Sequence, residues 1–253
     1  IRLQVWLIHE RIFLEMNKKV SLIIVTVIVF LLQAFLLNKL GDGYSFLLGV
    51  PITASSNVFY RLLIYWYLPI SFVTFLFIGE TRYSLRTSGV LLITRGRSRL
   101  RWWGVNLVKT VLKLGSLILI QYVIFKFIAQ KGHISVSPSD VEACIRYFLM
   151  LLFFIVLQML LELFIEPTSA HLIVNTAIVG SVLVAHICYF YFLKGDSYWL
   201  FVPINGMQAN VTGMPDAVSI RLISSEKALL VLLSIHLLLL ISSLIKVRKL
   251  DIF

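Results

Sequence analysis

Charge is scarce in this chain. Only 14% of its 253 residues are Asp, Glu, Lys or Arg. An ordinary soluble domain carries about 25%, so a water-exposed surface of this size could not be covered, and a soluble enzyme is excluded. A disordered chain is excluded too, because 59% of the residues are apolar or aromatic and such a chain has too little to bury. Cysteine is nearly missing. Cys144 and Cys188 lie in or beside apolar runs, with no Cys-x-x-Cys and no Cys/His ligand spacing, which argues against a disulfide scaffold, a metal site and redox chemistry. Each reads as a small buried hydrophobe. Acidic residues are the scarcest charge, 12 against 23 Lys and Arg, for a net +11. With a mean hydropathy of +0.94, what is left is an integral membrane protein whose solvent is lipid.

Six runs are long and apolar enough to cross a membrane, since about 20 residues span the hydrocarbon. They predict spans over about 20–38, 62–79, 105–128, 146–163, 170–193 and 227–245. The runs are continuously apolar rather than alternating, which excludes a barrel and predicts an all-α bundle. Pro69 predicts a kink in the second span. Lys109, Lys113 and Lys126 lie towards the ends of the third, where they can snorkel to the interfaces.

Orientation follows from Lys and Arg in the short connections. With both termini inside, the inner side holds 15 basic residues and the outer side eight. The six acidic residues on each side then leave +9 inside and +2 outside. Arg82, Arg86, Arg95, Arg97, Arg99 and Arg101 cluster in one inner loop, so the basic excess marks a cytoplasmic face and not a nucleic-acid surface. The first 19 residues mix both charge signs and no small-residue cleavage site follows the first span, which argues against a signal peptide. Residues 1–18 instead read as an amphipathic helix in the inner interface, or alternatively as an extension of the first span.

Catalysis needs a nucleophile with a base, paired carboxylates or a metal cluster, and no such pattern occurs. Gly180-Ser181 lacks the second glycine of a serine elbow, and Glu162 and Glu166 have no histidine at hydrolase spacing. An enzyme is not expected. Polar side chains within the spans are costly in lipid, so Gln33, Gln158, Asn175, His186 and His236 should face the bundle interior, a cavity or a subunit contact. Either they bond helix to helix or they line a substrate path.

The run GETRYSLRTSGVLLITRGRSRLRWWGVNLVK, starting at Gly79, resembles the cytoplasmic loop of type-2 ATP-binding-cassette permeases of the bacterial exporter kind. The positions that carry the likeness are Glu80, Gly89, Leu91-Leu92-Ile93-Thr94, Ser98-Arg99 and Lys109, with the basic ending KVRKLDIF. Two positions depart from the family pattern: Arg95-Gly96 stands where a proline is usual, and Val90 follows Gly89 where threonine is usual. The resemblance implies a six-span permease, N-in and C-in, in a bacterial plasma membrane, with an interfacial helix before the first span. It also implies a coupling helix within 80–104 and an outer loop, 194–226, that can dip back towards the membrane. Glu80, Arg82, Leu85, Arg86, Leu91, Leu92, Arg95, Arg97 and Arg99 would then dock a separate ATPase, with Trp102 and Trp103 as belt aromatics.

The chain has no G-x-x-x-x-G-K-[ST], so ATP and magnesium belong to that partner, and no cofactor is expected on this chain. A second permease chain, identical or not, completes the expected assembly. Its cargo would be an amphipathic peptide, antimicrobial ones included, a drug or a lipid. The other reading is a non-transporting membrane partner, such as a sensor or assembly subunit.

Overall fold

The computed structural model describes residues 2–40, 44–50, 56–89, 99–129, 138–187 and 225–248. Among them every regular element is helical. The helices are α1 (Arg2–Leu40), α2 (Ser56–Phe75), α3 (Glu80–Ser84), α4 (Arg99–Ala129), α5 (Pro138–Leu161), α6 (Pro167–Ile187) and α7 (Ser225–Arg248). A π-helical turn, Leu85–Gly89, prolongs α3, and a 3-10 turn, Phe46–Leu48, lies between α1 and α2. Six stretches are long and apolar enough to cross a membrane: Val20–Leu40, Val58–Thr87, Arg99–Ala129, Asp140–Leu161, Pro167–Val184 and Ala228–Arg248. The six expected runs are therefore all present.

The boundaries move for local reasons. No glycine or proline separates residues 1–18 from the first span, and α1 runs through both without a break, so the chain makes no turn there. Proline can occupy the first helical position because its missing N–H has no partner at that point anyway. Pro138 and Pro167 open α5 and α6 in this way, starting both before the expected 146 and 170. The third span also starts early, at Arg99. Trp102 and Trp103 consequently lie on α4, 3% and 0% exposed. They pack inside the protein and not as lipid-facing belt residues. The expected outer loop 194–226 lies outside the described residues up to residue 224.

α5 is the hub, packed against α2, α4, α6 and α7, while α1 runs along α2 and α4. Between α1 and α2 the chain dips into the bundle. Tyr44, Phe46, Leu47 and Val50 are all buried, and Phe46 meets Phe125 and Tyr147 edge-on, with centroids 5.3 and 5.2 Å apart. The Ser45 side chain accepts from the Leu47 N–H (3.3 Å) and starts the 3-10 turn. At the other end of the bundle, Arg99 donates to the Arg248 carbonyl (2.9 Å) and Lys246 lies 4.0 Å from the Phe164 ring centre. The start of α4, the α5–α6 turn and the end of α7 thus share one end, and that end is rich in cations.

Candidate functional site

The second span breaks before the Arg-rich loop, and the break is built from local hydrogen bonding. Past Phe75 the helix tightens: Phe77 N–H donates to Thr74 (3.1 Å) and Ile78 N–H to Phe75 (3.1 Å), both three residues back. Gly79 then takes a left-handed conformation, φ 73°, which costs a residue with a Cβ far more. Helical bonding resumes where Tyr83 N–H donates to the Gly79 carbonyl (2.8 Å). Such a break leaves backbone groups without their usual partners, and a buried one costs about 1–3 kcal/mol.

Two side chains from elsewhere in the bundle take up those groups. Lys113 on α4 donates to the Leu76 carbonyl (2.8 Å) and pairs with Glu80, its ammonium 4.4 Å from the Phe77 ring centre. Glu162, in the α5–α6 turn, accepts from the Gly79 N–H through Oε1 (2.8 Å). Leu85 packs against the core beside them. The segment after the second span is thereby held to α4 and to the α5–α6 turn. Replacing Lys113 by methionine keeps the apolar stem but removes both polar contacts, and unfolding in mixed micelles should show a loss of about 1–2 kcal/mol. The carbonyl carries most of it, since both charged side chains are partly exposed, and an unchanged unfolding free energy would refute the clamp.

Glu162 is buried, and desolvation pushes its carboxyl above the usual range, against the opposing pull of the Gly79 N–H. The sign follows. Its protonated form is favoured in the folded state, so this contribution to stability is fully present below the unfolded carboxyl range and is lost as pH rises through the elevated native value. Glu162→Gln keeps an acceptor for Gly79 and removes the titration. Thermal midpoints taken from pH 4 to 8 should fall with pH more steeply for the parent than for the variant. Parallel profiles would show that Glu162 does not titrate in this way.

Two buried polar clusters lie deeper. In the first, Tyr147 Oη donates to Gln121 Oε1 (3.5 Å), Gln121 Nε2 to Gln33 Oε1 (2.7 Å) and Gln33 Nε2 to the Tyr65 carbonyl (3.0 Å). That carbonyl is four residues before Pro69, which α2 passes through and which has no N–H to offer it. Gln33 supplies the missing donor. In the second, Tyr67 Oη donates to Asn175 Oδ1 (3.0 Å), and Asn175 Nδ2 to the His171 carbonyl (2.9 Å) and Thr74 Oγ1 (3.4 Å). Gln158 Nε2 lies 3.3 Å from Glu162 Oε1 and 3.5 Å from the Thr74 carbonyl, which ties this cluster to the break.

Gln33, Gln158 and Asn175 therefore each bond to another helix. His236 is buried on α7, with Nδ1 2.8 Å from the Leu232 carbonyl of its own helix and its ring edge-on to Phe153 of α5. The His186 side chain lies outside the described residues. At the cationic end, Arg82 is half-buried and Arg86 exposed, whereas Glu80 is engaged internally by Lys113 and Arg99 by Arg248. Leu91, Leu92, Arg95 and Arg97 lie outside the described residues.

Sequence reasoning missed Gln121 and Lys113 as partners. Gln121 carried the same signal as Gln33, an amide inside a span. Lys113 carried none, because a lysine near a span end is satisfied by water just as well.

A cavity of about 430 Å³ opens beside the clamp. Glu80, Thr81 and Ser84 line it from one side and Asn106, Lys109 and Lys113 from α4. Among the described residues no group of three or more His, Cys, Asp or Glu side chains could hold a metal ion.

Comparison with known proteins adds a family. The chain is 26% identical over 172 residues to the uncharacterized protein YybK of Bacillus subtilis (strain 168), covering 64% of this chain and 67% of that one. No solved structure matches it. Residues 23–253 match the family described as a protein of unknown function, DUF2705, and the chain belongs to that family.

Proposed function

We propose that this chain is the membrane subunit of an ATP-driven exporter in a bacterial plasma membrane, with both termini inside. It forms a path for an amphipathic cargo (peptide, drug or lipid), pairs with a second permease chain and docks a separate ATP-binding-cassette ATPase through residues 80–104. The ATPase brings ATP and magnesium, and this chain performs no hydrolysis. One observation carries the reading: the segment Gly79–Gly89, which bears Arg82 and Arg86, is latched to α4 through the Glu80–Lys113 pair and to the α5–α6 turn through the Gly79 N–H and Glu162. A motor pushing on an unlatched loop would move only that loop. Pushing on this segment loads three spans together, which is what coupling requires.

The non-transporting alternative also has an observation in its favour. Gln33, Gln158 and Asn175 bond within one chain, as they would in a bundle that transports nothing. Purification of the tagged chain from its native host separates the two readings. An ATPase bearing a phosphate-binding loop should co-purify. Its recovery should fall at least tenfold when Arg82, Arg86, Arg95 and Arg97 become Glu, and stay unchanged for Lys39→Glu at the opposite end. Retained association in the fourfold reversal would sink the docking assignment. Arg99 is left out of that variant because its guanidinium already holds the end of α7.

A further inference from the structure

The cavity beside the clamp has a chemistry that the docking of an ATPase does not use. Its charged lining is Glu80, Lys109 and Lys113. Glu80 and Lys113 neutralise each other, which leaves Lys109 as the cation facing a ligand. Asn106 adds a donor. Trp102 Nε1 donates to Ser84 Oγ (3.1 Å), and Ser84 in turn donates to Asn106 Oδ1 (2.9 Å). That relay fixes the amide with its oxygen occupied, and its buried Nδ2 has no partner among the described residues. Thr81 also lines the cavity, but its hydroxyl is directed to the Glu162 carboxylate and not to a ligand. One ammonium and one amide converging on a pocket of this size describe a site for a singly charged phosphate diester.

The surroundings decide what carries that phosphate. Val105, Val108 and Leu112 flank Lys109 on α4, and all three are exposed. The mouth beside Lys109 is therefore an apolar helix face, suited to acyl chains. Depth agrees. Lys109 and Lys126 both lie on α4, and their separation along the helix is about 25 Å at 1.5 Å per residue. That is close to the roughly 30 Å hydrocarbon thickness, which puts each ammonium at headgroup level.

We infer that this cavity binds the phosphate headgroup of an anionic phospholipid, held by Lys109 and Asn106, with its acyl chains along the Val105–Leu112 face of α4. The inference rests on the six-span reading and not on the ATPase. A lipid in this position would fill the wedge between the latched segment and α4, so that binding stiffens the clamp.

The test uses the full chain, stripped of lipid in maltoside micelles and titrated with phosphatidylglycerol or phosphatidylcholine, with bound lipids counted by native mass spectrometry. One phosphatidylglycerol should be retained about tenfold more tightly than phosphatidylcholine. Lys109→Ala should lower that affinity about tenfold, and Asn106→Leu several-fold. Lys246→Ala, at the same end but outside the cavity, should not change it. Equal retention of the two lipids, an unchanged affinity in Lys109→Ala, or an equal loss in Lys246→Ala would overturn the site. Displacement of the lipid by millimolar inorganic phosphate would overturn the lipid source in favour of a soluble anion. Lys109 is exposed, so its variant should fold, and a thermal midpoint recorded alongside confirms that. ATPase co-purification measured on the same variants separates failure of this site from failure of the docking reading.

Discussion

Gln33→Leu lowers the unfolding free energy by about 2–4 kcal/mol, and Pro69→Ala in the same chain restores about 1–2 of it. The loss is large because one side chain serves two buried groups, the Tyr65 carbonyl and the Gln121 amide. Interhelical hydrogen bonds in membranes average only about 0.6 kcal/mol, because the loosened chain usually finds other partners. Here it cannot, for proline removes the one backbone donor that would have served the carbonyl. Restoring that N–H with alanine should rescue the Tyr65 term and leave the Gln121 term untouched. Unfolding of the four members of this double-mutant cycle in mixed micelles of increasing dodecyl sulfate content reads the coupling directly. Additive losses would show that Gln33 is not the substitute donor.

Substitutions at Gly79 should rank by backbone angle alone. A Cβ there would meet Pro167 at 3.8 Å, an ordinary contact, so space is not the obstacle. The φ of 73° is. Asparagine tolerates that region, alanine loses about 1–2 kcal/mol, and a β-branched valine loses more, about 2–4 kcal/mol. All three keep the N–H that Glu162 accepts. The same unfolding assay should order stabilities as glycine, asparagine, alanine and valine. An alanine variant as stable as the parent would mean that the break does not require the left-handed turn. Valine carries the larger functional consequence, because a strained break loosens the latch that the exporter reading depends on.

Much of this was legible along the chain. The six apolar runs, the end of the second span near Gly79 and the inward placement of Gln33, Gln158 and Asn175 follow from hydrophobic length and from the cost of an amide in lipid. Other features were not. Pro69 announced a disturbed helix but not which side chain would mend it, because Gln33 lies on another span. Glu162 and Glu166 look alike on paper. Only the turn after Leu161 buries the first, against Gly79, and leaves the second exposed. Trp102 and Trp103 carry the signature of interfacial aromatics, yet the early start of α4 turns them into the core.

The division has one physical cause. Lipid acts on each residue separately, so length, apolarity and the side preference of Lys and Arg are written locally. The chain alone therefore determined six helices long and apolar enough to cross a membrane, with a basic stretch after the second. A buried polar atom needs a partner, and the partner lies 32 residues away for Gln33 and Tyr65 and 83 for Gly79 and Glu162. Those pairings, and the cavity that Lys109 faces beside the clamp, exist only once the helices pack.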